Sequence, residues 1–124
     1  MRHIVATLRS LVFYAVYPLL TAFFGITAPL LVGWLPYPIR SRYLLGWNRS
    51  VMLWLRIACG IRYKIEGVEN IPEGSFVVLS KHQSQWETYF LQLYFHPIAT
   101  VLKQELLAMP GFGWGMRLMQ PIPI

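Results

Sequence analysis

The chain is poor in cysteine, in acid and in charge of any kind. Cys59 is the only cysteine in 124 residues. That excludes an intrachain disulfide and a thiolate metal cluster, and it fits a reducing cytoplasmic setting. Charged residues make up 13% of the chain, with 5 Asp and Glu against 11 Lys and Arg. No glycine-rich nucleotide loop and no clustered metal ligands occur, so no metal and no bound cofactor are expected. Internal repeats and low-complexity segments are missing too. At this length the chain is one small domain at most, plus a membrane segment.

What fills the space is apolar. Hydrophobic residues reach 56%, and the mean hydropathy of +0.45 is high for a soluble protein. The formal charge is +6 and the pI about 9.8. Apolar and basic together point to an anionic membrane surface. Basic residues flank apolar segments and form no dense run, so nucleic acid is not the expected partner.

From Ser10 to Ile39 there is no charged residue. Leu11 to Leu35 is long enough to cross a bilayer core of about 30 Å and too long for the apolar core of a cleaved signal peptide. Pro18, Gly25, Pro29 and Gly33 interrupt it, which membrane helices tolerate; a bent or re-entrant segment would carry them equally well. Arg2 and Arg9 precede the run, and Arg40, Arg42, Arg49 and Arg56 follow it. The heavier basic flank predicts that the C-terminal side faces the cytoplasm. Tyr37 to Cys59 reads as a second helix closed by Gly60. Arg42, Arg49 and Arg56 recur every seven residues and share one stripe, as in a helix lying at the membrane interface. An ordinary core helix with a solvated arginine stripe has the same pattern.

Residues 1–59 are therefore expected to form a membrane-anchoring helical region. Residues 60–124 are expected to form part of an α/β domain. Arg62–Glu66, Phe76–Ser80 (buried) and Ala99–Leu102 read as strands, and Pro121–Ile124 begins an extended piece. Trp86–Phe95, Gln104–Met109 and Gly113–Met119 read as helices. Strands alternating with helices predict a partly parallel sheet. Trp86, Tyr89, Phe90 and Tyr94 read as core, His3 as an exposed terminal residue, and His96 as a helix C-terminal cation.

The stretch with chemistry in it is Ser80-Lys81-His82-Gln83-Ser84-Gln85-Trp86-Glu87-Thr88. Two side chains five residues apart inside one helix diverge by about 140°. His82 and Glu87 meet only if His82 lies before the helix and Glu87 in its first turn. Ser84 as N-cap makes Glu87 the third helical residue. One reading is a catalytic pair: Glu87 orients the imidazole and leaves its other nitrogen free as a base, like a triad without the serine. The other is a capping box, in which Glu87 serves only the backbone. The spacing is compatible with both.

His82-Gln83-Ser84-Gln85-Trp86-Glu87 resembles the H-x-x-x-x-D signature of the glycerolipid acyltransferases, in the form that carries Glu in place of Asp. Val101 to Gly113 resembles a second block of that family, K-x-E-L-x-x-x-P-x-x-G, through Lys103, Glu105, Leu106, Pro110 and Gly113. The resemblance implies a glycerolipid-acyltransferase-like α/β domain, of which this chain looks like the N-terminal half, since the family's E-G-T-R block is not reached by Ile124. It implies acyl transfer to 1-acylglycerol-3-phosphate (lysophosphatidic acid), giving phosphatidic acid, at a phospholipid membrane. The expected place is the cytoplasmic face of a bacterial inner membrane. The donor would be a thioester of coenzyme A or of acyl-carrier protein.

His82 and Glu87 are then the candidate catalytic residues, and Lys103, Lys81 and Ser84 the candidate substrate-binding ones. Imidazole, titrating near 6.5 when unperturbed, suits base catalysis at neutral pH. The Lys81 charge and the helix start both favour its neutral form. The helix-start amides could hold a phosphate or oxyanion. The resemblance assigns Lys103 to the glycerol-phosphate headgroup. Ser84 serves better as cap than as nucleophile, so direct attack is favoured over an acyl-enzyme. Two alternatives stay open: another lysolipid acceptor, such as a lyso-ornithine lipid, and a truncated, non-catalytic membrane-associated interaction protein.

Overall fold

Helix α1 runs from Arg2 to Leu31 and takes in most of the uncharged run. In this computed structural model residues 2–124 are described, with side chains from His3 onward. Met1 and the Arg2 side chain, part of the N-terminal flank read above, lie outside the described residues. Pro18 and Pro29 sit inside α1 without ending it. A short turn leads to Pro36, and α2 then spans Tyr37–Trp54, with proline at its start, where a missing N–H costs nothing. One π-helical turn, Leu55–Cys59, extends α2 to Gly60, whose φ of 72° closes it in the left-handed region. Glycine adopts that conformation without a Cβ penalty.

Side chains zip α1 and α2 together in antiparallel order. The Thr27 and Tyr43 hydroxyls lie 2.7 Å apart, Trp47 Nε1 donates to Thr21 Oγ1 at 3.2 Å, and Trp54 Nε1 donates to the Phe13 carbonyl at 3.3 Å. As α1 numbers fall, α2 numbers rise. The buried face of α2 carries Ser41, Leu44, Leu45, Trp47, Asn48 and Val51, while Arg42, Arg49 and Arg56 are exposed together, as their spacing predicts. Phe13, Trp47, Val51, Leu55 and Tyr89 form one apolar cluster. Ala28, Val32, Leu44, Leu45 and Met119 form another.

The remaining elements dock on this hairpin. Helix α3, Trp86–Tyr94, buries Tyr89 and Gln92. Trp86 and Phe90 are half-buried, whereas Tyr94, expected in the core, is exposed at the end of the stack that Trp86, Phe90 and Tyr94 form. Strand β1, Val101–Leu102, pairs in parallel with β2, Ile122–Pro123, in the register Val101↔Ile122 and Leu102↔Pro123. Between them lie a 3₁₀ stretch, Gln104–Ala108, and helix α4, Phe112–Arg117. That crossover is what a parallel pair requires. Helical elements with a small parallel sheet make up the α/β architecture observed.

Two expected strands do not form. Arg62–Glu66 and Phe76–Ser80 run without regular pairing. Phe76–Ser80 is not buried either: Val77 is 84% and Leu79 94% exposed. A strand exists through its ladder of hydrogen bonds, and among the described residues no neighbour supplies one. The helix expected at Gln104–Met109 is a 3₁₀ stretch.

One contact between α1 and α4 leaves no room for a side chain. A Cβ on Gly25 would lie 2.0 Å from the Gly111 carbonyl oxygen, and Gly111 itself has a φ of 75°. Backbone cannot swing aside as a side chain can. Gly25→Ala is therefore expected to lower the thermal midpoint of the detergent-solubilised protein by the equivalent of about 1–3 kcal/mol or more, the range for overpacking. Gly46→Ala should cost less, because its Cβ meets only the Phe24 ring edge, at 3.2 Å. Equal midpoints for the two variants would contradict this packing.

Candidate functional site

The turn before α3 is built by the carboxylate of Glu87. Its Oε1 accepts from the backbone N–H of Gln83 and from that of Ser84 at 2.8 Å. Its Oε2 accepts from the Ser84 hydroxyl at 2.6 Å. Ser84 Oγ in turn accepts from the Trp86 N–H at 3.3 Å. Gln85 already has helical backbone angles, φ −68° and ψ −17°, so Ser84 holds the cap position just outside the helical backbone. This is the reciprocal bonding of a capping box.

The same carboxylate faces the histidine. His82 Nδ1 lies 3.5 Å from Glu87 Oε1, with the His82 side chain 72% exposed and that of Glu87 15%. At 3.5 Å this is a charge contact, longer than a hydrogen bond. Capping and pairing thus occur in one geometry. Oε1 is turned inward by the amides and still presents a negative edge to the imidazole. The exposure of His82 leaves its ring open to an incoming group.

The amides and hydroxyl hold the Glu87 carboxyl down at about 2. The Ser84 hydroxyl is the largest cause, followed by the Ser84 N–H. Glu87 is ionised throughout the neutral range and can stabilise an imidazolium beside it.

Of the other candidates, Ser84 is in this cluster. Lys81 and Lys103 are exposed, and among the described residues neither makes an ion pair or side-chain hydrogen bond with it. Lys103 follows β1 and opens the 3₁₀ stretch with extended backbone, φ −66° and ψ 134°. It lines a shallow open groove with Glu105 and Ile124. The Gln104 N–H, next to Lys103, donates to the Ile124 carbonyl at 3.0 Å. Among the described residues no cluster of acidic, histidine or cysteine side chains could hold a metal ion.

The sequence reading overlooked a buried polar network behind the site. Asn48 Nδ2 donates to Gln92 Oε1 at 2.8 Å and to the Tyr89 carbonyl at 3.4 Å. His96 Nε2 and Ser41 Oγ lie 3.2 Å apart, so His96, just past the Phe95 cap of α3, faces α2. The available signal was Asn48 itself, an amide among Leu44, Leu45, Trp47 and Val51 on a buried helical face. A polar residue there needs a partner.

A helical hairpin, an α/β unit and a histidine–glutamate turn at a helix start together define a class. The model of the family described as "Acyltransferase" matches residues 62–124, the part that carries both the turn and Lys103. The chain belongs to that family. It is 41% identical over 121 residues to a 1-acyl-sn-glycerol-3-phosphate acyltransferase of Pseudomonas aeruginosa, covering 97% of this chain and 47% of that protein. A protein of the same name from Saccharomyces cerevisiae is 27% identical over 99 residues, covering 77% of this chain and 31% of that protein. The chain thus spans half or less of the length of these curated relatives. No solved structure gives a significant match.

Glu87 has a consequence for acid stability. A carboxyl depressed in the folded state stabilises the fold fully above its unfolded pKa. That contribution fades as pH falls from about 4.5 toward about 2. The thermal midpoint should therefore drop across this window, and Glu87→Gln should flatten that part of the profile. An unchanged profile in Glu87→Gln would mean that the turn does not depend on the ionised carboxylate.

Proposed function

We propose that this chain carries the base and headgroup residues of a 1-acylglycerol-3-phosphate acyltransferase. The observation that carries the reading is the His82–Glu87 contact at the start of α3, within the matched family region. Both named relatives point to the same acceptor.

In the reaction, His82 takes the proton of the acceptor's free hydroxyl through the ring nitrogen that does not face Glu87. The hydroxyl oxygen attacks the thioester carbonyl, an ester C–O bond forms, and the C–S bond breaks. The departing thiolate recovers the proton from the imidazolium. Glu87, charged and fixed by the Ser84 and Gln83 amides, stabilises the imidazolium in between. Lys103, exposed at the end of β1, meets the phosphate of the acceptor. Lys81 adds positive charge beside the histidine. The donor is a thioester of coenzyme A or of acyl-carrier protein.

The setting is a phospholipid membrane, on the cytoplasmic face of a bacterial inner membrane. Helix α1 supports the membrane part of this reading: His3–Leu31 is long and apolar enough to cross a bilayer, and only 17% of its most apolar window is buried. Leu19, Phe23, Ile26 and Leu30 stand on its exposed side. The arginine stripe of α2 would meet anionic headgroups.

Two substitutions in the full-length enzyme test the pair. His82→Ala should lower kcat by about 10²- to 10⁴-fold, the usual contribution of a general base, with the fold retained by circular dichroism. Glu87→Gln keeps an acceptor for the Gln83 and Ser84 amides and loses the charge facing the imidazole. It should lower kcat strongly at neutral pH while the protein stays folded. Full activity in Glu87→Gln would reduce Glu87 to a cap and sink the paired mechanism.

Lys103→Ala tests the headgroup assignment. An interaction made equally with bound substrate and transition state appears mainly in KM. KM for lysophosphatidic acid should rise while kcat changes little. An unaltered KM would leave Lys103 as a solvated cation.

A further inference from the structure

Gln92 stands between the two parts of the proposed site. It is 3% exposed and lies on α3, whose first turn holds Glu87. Its Oε1 accepts from Asn48 of α2 at 2.8 Å. Its Nε2 donates to Thr100 Oγ1 at 3.2 Å. Thr100 immediately precedes β1, and Lys103 immediately follows β1. The Thr100 carbonyl accepts from the Ile122 N–H at 2.9 Å, which locks that end of β1 to β2.

A single side-chain amide therefore joins three elements: the hairpin through Asn48, the helix bearing the His82–Glu87 turn, and the strand leading to Lys103. Asn48 is itself 2% exposed. Buried amides of this kind hold geometry sharply, because each unmade bond leaves a desolvated donor or acceptor. The hairpin and α3 share further hydrogen bonds, from Asn48 to the Tyr89 carbonyl and between the Tyr17 and Tyr89 hydroxyls. Among the described residues, the Gln92–Thr100 bond is the one that ties α3 to the start of β1; apolar contacts there are non-directional and would permit sliding.

We propose that Gln92 is a positioning residue that sets the separation between the His82–Glu87 turn and Lys103, with Thr100 as its partner. This rests on the assignment of Lys103 to the acceptor headgroup. Gln92 touches no substrate. It acts by deciding whether one acceptor molecule reaches the base with its hydroxyl and the lysine with its phosphate at the same time.

The test breaks only the bond between α3 and β1. Thr100→Val replaces the hydroxyl with a methyl group of similar size, and Thr100→Ser keeps the hydroxyl. In the full-length enzyme, Thr100→Val should raise KM for lysophosphatidic acid and lower kcat. The combined loss in kcat/KM should be about 10- to 100-fold, the scale of a misplacement of about 1 Å. KM for the thioester donor should stay unchanged, and Thr100→Ser should restore near-normal values. A merely structural role would reduce the folded fraction, and hence the maximal rate, without moving KM for the acceptor. Should the valine not be accommodated, Thr100→Ala makes the same test without added bulk. Normal acceptor kinetics in the folded hydroxyl-free variant, or equal damage in Thr100→Ser, would overturn the proposal. If Lys103→Ala raises KM while Thr100→Val behaves normally, only the role of Gln92 falls. If Lys103→Ala leaves KM unchanged, the headgroup assignment falls and this proposal with it.

Discussion

The carboxylate of Glu87 receives the backbone N–H groups of Gln83 and Ser84 and the hydroxyl of Ser84, and the shape of the turn before α3 follows from those bonds. A helix start leaves unpartnered N–H groups. Here an anion meets the donors of the incoming turn, and its charge also suits the positive end of the helix dipole. The bonds that fix the turn are the same ones that hold the carboxyl ionised. His82 is drawn against the outer edge of this anion. One residue therefore shapes the backbone and sets the electrostatic environment of the imidazole, and neither task displaces the other.

Everything behind the turn keeps α3 in place. The α1–α2 hairpin presents an aromatic face, on which Trp47 and Tyr89 meet edge to face at 5.3 Å between ring centroids. The Tyr17 and Tyr89 hydroxyls lie 2.9 Å apart. Burial and that bond push the Tyr89 phenol far above its usual range, so Tyr89 stays neutral and serves packing. The polar contacts of Asn48, Gln92 and Thr100 give this apolar interface its direction. The other side of α1 has no protein partner among the described residues, with Leu8, Leu11, Leu19 and Phe23 all more than half exposed. The hairpin thus has an inner face on which α3 packs and an outer face that is apolar and exposed.

Several features were legible in the residues because they depend on local pattern. The long uncharged run predicts α1. The seven-residue recurrence of Arg42, Arg49 and Arg56 predicts an exposed stripe, and Gly60 predicts a helix end. Ser84-x-x-Glu87 predicts a helix start with a reaching carboxylate. Other readings depended on distant partners. The alternating Arg62–Glu66 and the apolar Phe76–Leu79 have strand-like sequences, yet they stay unpaired because no partner strand lies beside them among the described residues. Gly25 read as an interruption of an apolar run, whereas its function in the fold is to let Gly111 approach.

Composition and short-range spacing alone determined the long apolar helix, the basic flank, the helix start at Ser84 and the placement of His82 just outside it. These are set within a few residues by hydropathy, helical period and capping chemistry. Whether Glu87 caps the helix or faces the histidine was left open by spacing, which is compatible with either. Only the folded turn decided that the carboxylate does both, because the Oε1 that accepts from the Gln83 and Ser84 amides also lies against His82 Nδ1. Tertiary structure also decided that Asn48, distant in sequence, meets Gln92 and through it Thr100 in one chain of hydrogen bonds. No local rule could reach that result, because a buried amide has no preferred partner until packing brings one within about 3 Å.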